Sequence, residues 1–148
     1  MNLPPKVKIL RTLPWKEYAK ELGEGGLTVW VNPPLARLQE HDGILKERVA
    51  AFERLKRLQE KPKKAPESWQ PDEAEVKKEL EAIAEIGKRF TAWYCEIWSQ
   101  GSDPDTHVDV NELLAALDER NEDPRLLDWM EIRTLEMIHD HRLEIKNR

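Results

Sequence analysis

Seven positions constrain this chain more than any others. Val76, Leu80, Ile83, Gly87, Phe90, Tyr94 and Ile97 follow one another at spacings of 4, 3, 4, 3, 4 and 3. That pattern is an a/d seam along one face of a helix, interrupted only by a glycine. A second apolar stripe precedes it: Leu35, Leu38, Leu45, Val49, Phe52, Leu55 and Leu58, opened by Asn32-Pro33-Pro34 and running to about Glu60. Asp42-Gly43 lies inside this stripe, and a mid-helix glycine costs about 1 kcal/mol, so this is where the first helix would kink or break. Residues 61–71 hold three prolines, which forbid a continuous helix and mark a linker. Two amphipathic helices joined this way predict an antiparallel hairpin over residues 34–99. An intermolecular coiled coil through the seam is the alternative.

The flanks read differently. Residues 1–33 are the one β region, with Val7, Ile9 and Val29-Trp30-Val31 as strand formers and Gly23-Glu24-Gly25-Gly26 as a turn signal. A short helix from Pro14 to Leu22, ended by Gly23, fits between the runs, giving a hairpin or a β–short helix–β unit. Two strands alone are marginal in water, so this unit must pack on helices or on another chain. After a polar loop to His107, Asp109 with Glu112 forms a capping box for a short Leu-rich helix over 110–119. Asp123-Pro124 then opens a last helix to about Lys146. Its apolar face is broad: Leu127, Met130, Thr134, Met137 and His141 on one seam, widened by Leu126, Trp129, Ile132, Leu135 and Ile138. The expected fold is mainly α, a helical hairpin plus a C-terminal helix pair (100–148) packing on it, with a small N-terminal β element. One domain overall suits the length.

Composition narrows the function classes. The 148 residues include one cysteine, which excludes a disulfide framework and a multi-cysteine zinc site. No run of about eighteen apolar residues exists to span a membrane, and the start lacks the apolar stretch of a secretory signal. The expectation is a cytoplasmic protein. Residues 1–70 carry a net charge of +5 and residues 71–148 a net of −10, a polarity that suits attraction within one chain or between copies. The dense basic run, Lys56-Arg57 with Lys61-Pro62-Lys63-Lys64, is short, and the acidic remainder would repel phosphate, which weighs against nucleic acid.

The constellations that could carry chemistry each have a plainer account. His139 and His141 are two residues apart and lie about 200° apart on a helix, so they cannot share a metal; they suit the carbonyls and dipole of the last turn. Asp103, Asp105, His107 and Asp109 invite a calcium reading, but the sixth position from Asp103 is Val108 and the twelfth is Leu114, against the Gly and Glu of an EF-hand loop. A hydrolase or nuclease built on this loop and His107 is the remaining catalytic option. Cys95 sits among apolar neighbours and Glu96, the setting of a buried small hydrophobe rather than a nucleophile. No phosphate loop, nucleophile elbow, kinase or zinc-protease motif is present. The chain is expected to be no enzyme and to need no cofactor or metal.

Partner binding is the stronger expectation. Six of the aromatic residues are Trp, a side chain often used at interfaces. Trp69 stands in the proline-bearing linker, where it either caps the hairpin or anchors a partner. Trp98, Trp129, Ile132 and Leu135 join it as candidate partner-binding residues, because the face over 126–138 is wide enough to want contact on two sides.

The C-terminal layout carries a resemblance. A helix ends in aromatics (Phe90-Thr91-Ala92-Trp93-Tyr94-Cys95-Glu96-Ile97-Trp98), an Asp/Gly/Pro loop follows over residues 99–107, then a short Leu-rich helix, an Asp-Pro step and a final amphipathic helix. This resembles the small tail assembly chaperones of long-tailed bacteriophages over roughly half the chain. The long charged helices over 35–60 and 72–99 are larger than that family's pattern. The resemblance implies a non-enzymatic protein in the host-cell cytoplasm that associates with itself and with the tape measure protein, holding that long helical chain in solution during tail assembly. The alternative is a small helical adaptor or regulator docking on a large machine such as RNA polymerase.

Overall fold

The computed structural model describes residues 7–99, 111, 112, 115 and 125–147. In chain order it has β1 (Leu10–Pro14), 3-10 turns at Trp15–Glu17 and Lys20–Leu22, β2 (Gly26–Trp30), α1 (Leu35–Gln59), α2 (Glu73–Trp98) and α3 (Arg125–Lys146). The chain is mainly helical and divides into two compact units. One comprises Met1–Leu35 with Ala92–Arg148, and the other Ala36–Thr91. The last helix, expected on the hairpin, is thus grouped with the β element and the final turns of α2. The loop from Asp103 to Asp109 lies outside the described residues. Of the helix expected over 110–119, Asn111, Glu112 and Ala115 are described, and they are helical.

In the first unit, β1 and β2 pair antiparallel, with Leu10 opposite Trp30 and Pro14 opposite Gly26. The first strand is therefore centred after Val7 and Ile9, which sequence pattern had favoured. Pro33 and Pro34 explain this, since neither has an N–H to extend the ladder. The Asn32 side chain takes over instead: its amide accepts from Ile9 N–H at 2.8 Å and donates to the Val7 carbonyl at 2.7 Å. At the other end Gly26 is obligatory, because a Cβ there would strike the Leu13 carbonyl. The expected short helix over 14–22 is broken into two 3-10 turns by Ala19, whose φ of −155° and ψ of 135° are extended. A segment so short gains little from helix propagation, and the break leaves the Tyr18 ring 5.2 Å from that of Trp129. Leu13, Val29 and Val31 are buried, as are Trp93, Tyr94, Cys95, Ile97 and Trp98 of α2 and Leu126, Met130 and Ile138 of α3.

The second unit is the helical hairpin. α1 passes through Asp42-Gly43 without interruption; Gly43 is exposed, so only intrinsic propensity is lost there. Asp72 caps α2, accepting the Glu75 N–H at 3.1 Å, the capping pattern that Asp72 and Glu75 spell in sequence. The α1 seam is rotated from the expected stripe, whereas α2 keeps much of its own, with Phe90, Tyr94 and Ile97 buried and Val76 and Ile83 half-buried. α1 buries His41, Ile44 and Ala51, whereas Leu45, Val49 and Phe52 are exposed. α2 buries Ile86 and Phe90, and Leu80 is exposed. Charged side chains set this rotation. Arg54 Nε donates to both carboxylate oxygens of Glu79 at 3.1 Å, Arg89 pairs with Glu47, and the Arg48 guanidinium lies 4.4 Å from the Phe90 ring centroid. Long Arg stems cover apolar surface while their heads stay wet, so they can occupy seam edges that a strict apolar count leaves to leucine.

Candidate functional site

The uncovered face of α1 is the candidate site. Leu45, Val49 and Phe52 are 37 %, 55 % and 50 % exposed. They span seven residues, or about 10.5 Å of helix, on one side. Beside them an open, largely apolar depression of about 630 Å³ is lined by Leu45, Val49, Ala50 and the side chains of Lys46, Glu53 and Arg57, among others. Isolated exposed apolar residues are ordinary, but a helical row of three with a charged border is not. The border has its own order: Lys46 and Glu53 stand seven residues apart on the same flank, with opposite charge. Arg57 pairs weakly with Glu53 at 3.5 Å, with both side chains mostly exposed.

The opposite flank of α1 is occupied within the hairpin. His41 is buried with its ring edge-on to Phe90, 5.1 Å between centroids. Burial pushes its pKa below the ordinary imidazole value, and Arg48 adds to that while Asp42 opposes it. This imidazole is part of the hairpin seam.

The residues expected to bind partners fall in different settings. Trp98 is 3 % exposed, and its Nε1–H donates to Thr134 Oγ1 at 2.9 Å. Thr134 in turn donates to the Met130 carbonyl at 2.7 Å, so the tryptophan is a satisfied core residue of the first unit. Trp129 is half-buried against Tyr18, and Leu135 is half-buried. Ile132 is 58 % exposed. Most of the broad face of α3 is thus covered by its own unit, with Leu126, Met130, Thr134, Ile138 and His141 buried. Trp69 belongs to the hairpin unit and is half-buried in a turn where its N–H donates to the Pro66 carbonyl at 2.9 Å.

Histidine placement corrects one sequence expectation. His139 is exposed, but His141 is buried, and neither of its ring nitrogens has a hydrogen-bond partner among the described residues. It does not serve the last-turn carbonyls; its position on the buried face of α3 turns it inward. Among the described residues no group of three His, Cys, Asp or Glu side chains is placed to hold a metal ion, and no helix is long and apolar enough to cross a membrane. Cys95 is buried.

Periodicity alone does not find the α1 face, because Leu45, Val49 and Phe52 fit the stripe expected in the hairpin interior. The signal that points to it is the set His41, Ile44, Arg48 and Ala51, which runs at the same 3–4 spacing into Leu55 and Leu58 and lies about 90° round the helix from Leu45, Val49 and Phe52. In comparison with known proteins, no family model, no curated protein and no solved structure matches the chain.

Proposed function

We propose that the chain is a non-enzymatic protein-binding module of the tail assembly chaperone kind, engaging an apolar amphipathic helix of a tape-measure-like partner. The observation that carries this reading is the row Leu45, Val49 and Phe52, held exposed at spacings of 4 and 3 on a 25-residue helix. Such a row matches the i, i+3, i+4, i+7 anchors by which one amphipathic helix recognises another. The charged border of Lys46, Glu53 and Arg57 supplies the polar rim that surrounds an apolar interface centre.

Co-expression with the tape-measure-like chain of the same genome tests the reading. The expected result is a complex in the supernatant, with recovery of the long chain falling about tenfold on Val49→Asp, since about 1.4 kcal/mol separates those affinities. If the long helical chain precipitates equally with and without this protein, or if recovery ignores Val49→Asp, the reading is wrong.

A further inference from the structure

The exposed large apolar side chains of the hairpin unit are Leu45, Val49 and Phe52 of α1 and Leu80 of α2. We propose that the helix bound at the α1 row lies in the groove between α1 and α2 and completes a three-helix bundle. Leu80 is its anchor on α2, and the partner carries an acid followed one turn on by a base over the hairpin tip. This rests on the α1 row being a binding face, and it adds where the partner lies and what charges it bears.

The hairpin has one sealed side and one open side. On the sealed side Arg54 meets Glu79 and Arg89 meets Glu47. Glu47 and Arg54 are seven residues apart, about two turns of helix, so both bridges close the same side. On the open side Gln59 shares a depression of about 340 Å³ with Val76 and Leu80. Gln59 lies seven residues after Phe52, and Phe52 seven after Leu45, so a single stripe of α1 leads from the exposed row into that depression. Exposed apolar side chains of both helices therefore border one groove. Among the described residues the bridged side has no exposed large apolar side chain. A helix in the groove covers Leu80 together with the α1 row, and the extra apolar area favours that seat over one on α1 alone.

Charges at the tip end select the occupant and its direction. The row Leu45, Val49, Phe52 continues four residues on to Lys56. Lys56 is two residues nearer the tip than Arg54, and Lys77 is two nearer than Glu79, so the Arg54–Glu79 bridge sets the two lysines level. One turn further, Glu60 and Glu73 are level in the same way. All four side chains are exposed, and none has an ion-pair partner among the described residues. A helix here is matched by a carboxylate near the lysines and, one turn closer to the tip, by a cation near the glutamates. In a helix parallel to α1 that is Glu four residues before Lys, the order that also supports the helix itself. The reverse direction needs Lys before Glu, the weaker order. The partner is thus an amphipathic helix parallel to α1, apolar at spacings of 4 and 3, ending in Glu and then Lys.

Fluorescence anisotropy on the full chain tests this with two labelled synthetic peptides of one composition. Each carries leucines at the spacings of the α1 row. Four residues after the last leucine, the first peptide has Glu followed one turn on by Lys, and the second has the two exchanged. The first is expected to bind about tenfold tighter. Lys56→Glu with Lys77→Glu should remove that preference, and adding Glu60→Lys with Glu73→Lys should reverse it. Leu80→Asp should weaken the first peptide about tenfold, as Val49→Asp does, whereas Lys78→Glu, beside Arg54 and Glu79 on the sealed side, should change it less than about threefold. Circular dichroism confirms that each variant keeps its helix content. If Leu80→Asp binds like the wild type while Val49→Asp does not, the groove is overturned and the proposed function stands. Absence of binding, equal binding of the two peptides, or a preference that survives the charge exchange overturns the charge assignment. Binding that ignores both Leu80→Asp and Val49→Asp overturns the groove and the proposed function together.

Discussion

The first unit closes its core with large side chains from four elements, whereas the hairpin closes its seam with Ile44, Ala51, Ile86 and Phe90 and leaves Leu45, Val49 and Phe52 to solvent. Of the buried apolar side chains among the described residues, eleven lie in the first unit and those four in the second. The polar groups differ less, and chiefly in one buried chain of hydrogen bonds. In the first unit a buried polar run goes from Trp98 through Thr134 to the Met130 carbonyl, beside exposed ion pairs such as Arg133–Glu17 and a buried His141 ring unpaired among the described residues. In the hairpin polar groups stand at the seam edge as Arg54–Glu79 and Arg89–Glu47, at least half of each pair exposed or nearly so. Burial of apolar area holds a unit together, while exposed ion pairs contribute about 0–1 kcal/mol each and chiefly set register. The difference assigns stability to one unit and availability to the other.

Trp98→Ala is the sharpest way to break that assignment. Trp98 fills the core and satisfies a buried hydroxyl, so the loss should be about 3–5 kcal/mol in thermal or denaturant unfolding of the first unit. A loss below about 1 kcal/mol would mean that the aromatic core does not hold the unit. Thr134→Val comes next. The shape is kept, but the Trp98 indole N–H is left in the core without an acceptor, and the expected cost is about 1–3 kcal/mol. If Thr134→Val is neutral, the buried hydrogen bond adds nothing beyond packing, and the contrast between the units reduces to volume alone.

How much of this was legible follows from what each signal measures. The helices were legible, since α1, α2 and α3 begin and end within a few residues of the proline and cap signals that announced them. The facing of α1 was not, although the seams of α2 and α3 kept Phe90, Tyr94, Ile97, Met130, Thr134 and His141 inside. Leucine and valine at 3–4 spacing locate a stripe, but α1 carries two such stripes, and the choice between them was made by Arg48, Arg54 and Glu47 reaching partners on α2. Those partners are some 25 to 42 residues away in sequence, beyond the reach of periodicity. The strand shift had a local cause in Pro33-Pro34, yet the compensating Asn32 side chain acts across 23 and 25 residues. Part of the broad α3 face is met within the chain's own unit, where Trp129 lies against Tyr18. Ile132 stays exposed on α3, as do Leu143 and Ile145 near its end, and Leu45, Val49 and Phe52 form the exposed row on α1.

The smallest effect probes the hairpin's one buried imidazole. Burial holds the His41 pKa below its ordinary value, with Asp42 opposing it and Arg48 adding a smaller push in the same direction as burial. The unfolded chain therefore binds a proton before the folded hairpin does. Between the ordinary imidazole value of about 6.5 and the lowered folded one, the unfolded state carries more protons and stability rises with pH. The contribution of neutral His41 is present in full above about pH 6.5 and is lost as the pH falls through the folded value. His41→Leu removes this dependence whatever it does to absolute stability, because every other titrating group is common to both chains. Melting curves of the two chains from about pH 7.5 to about pH 5 should therefore diverge, with the wild type losing more stability toward acid. Parallel curves would show that the hairpin seam is wet enough to accept an imidazolium, and the sparse set of Ile44, Ala51, Ile86 and Phe90 would then be no dry core at all.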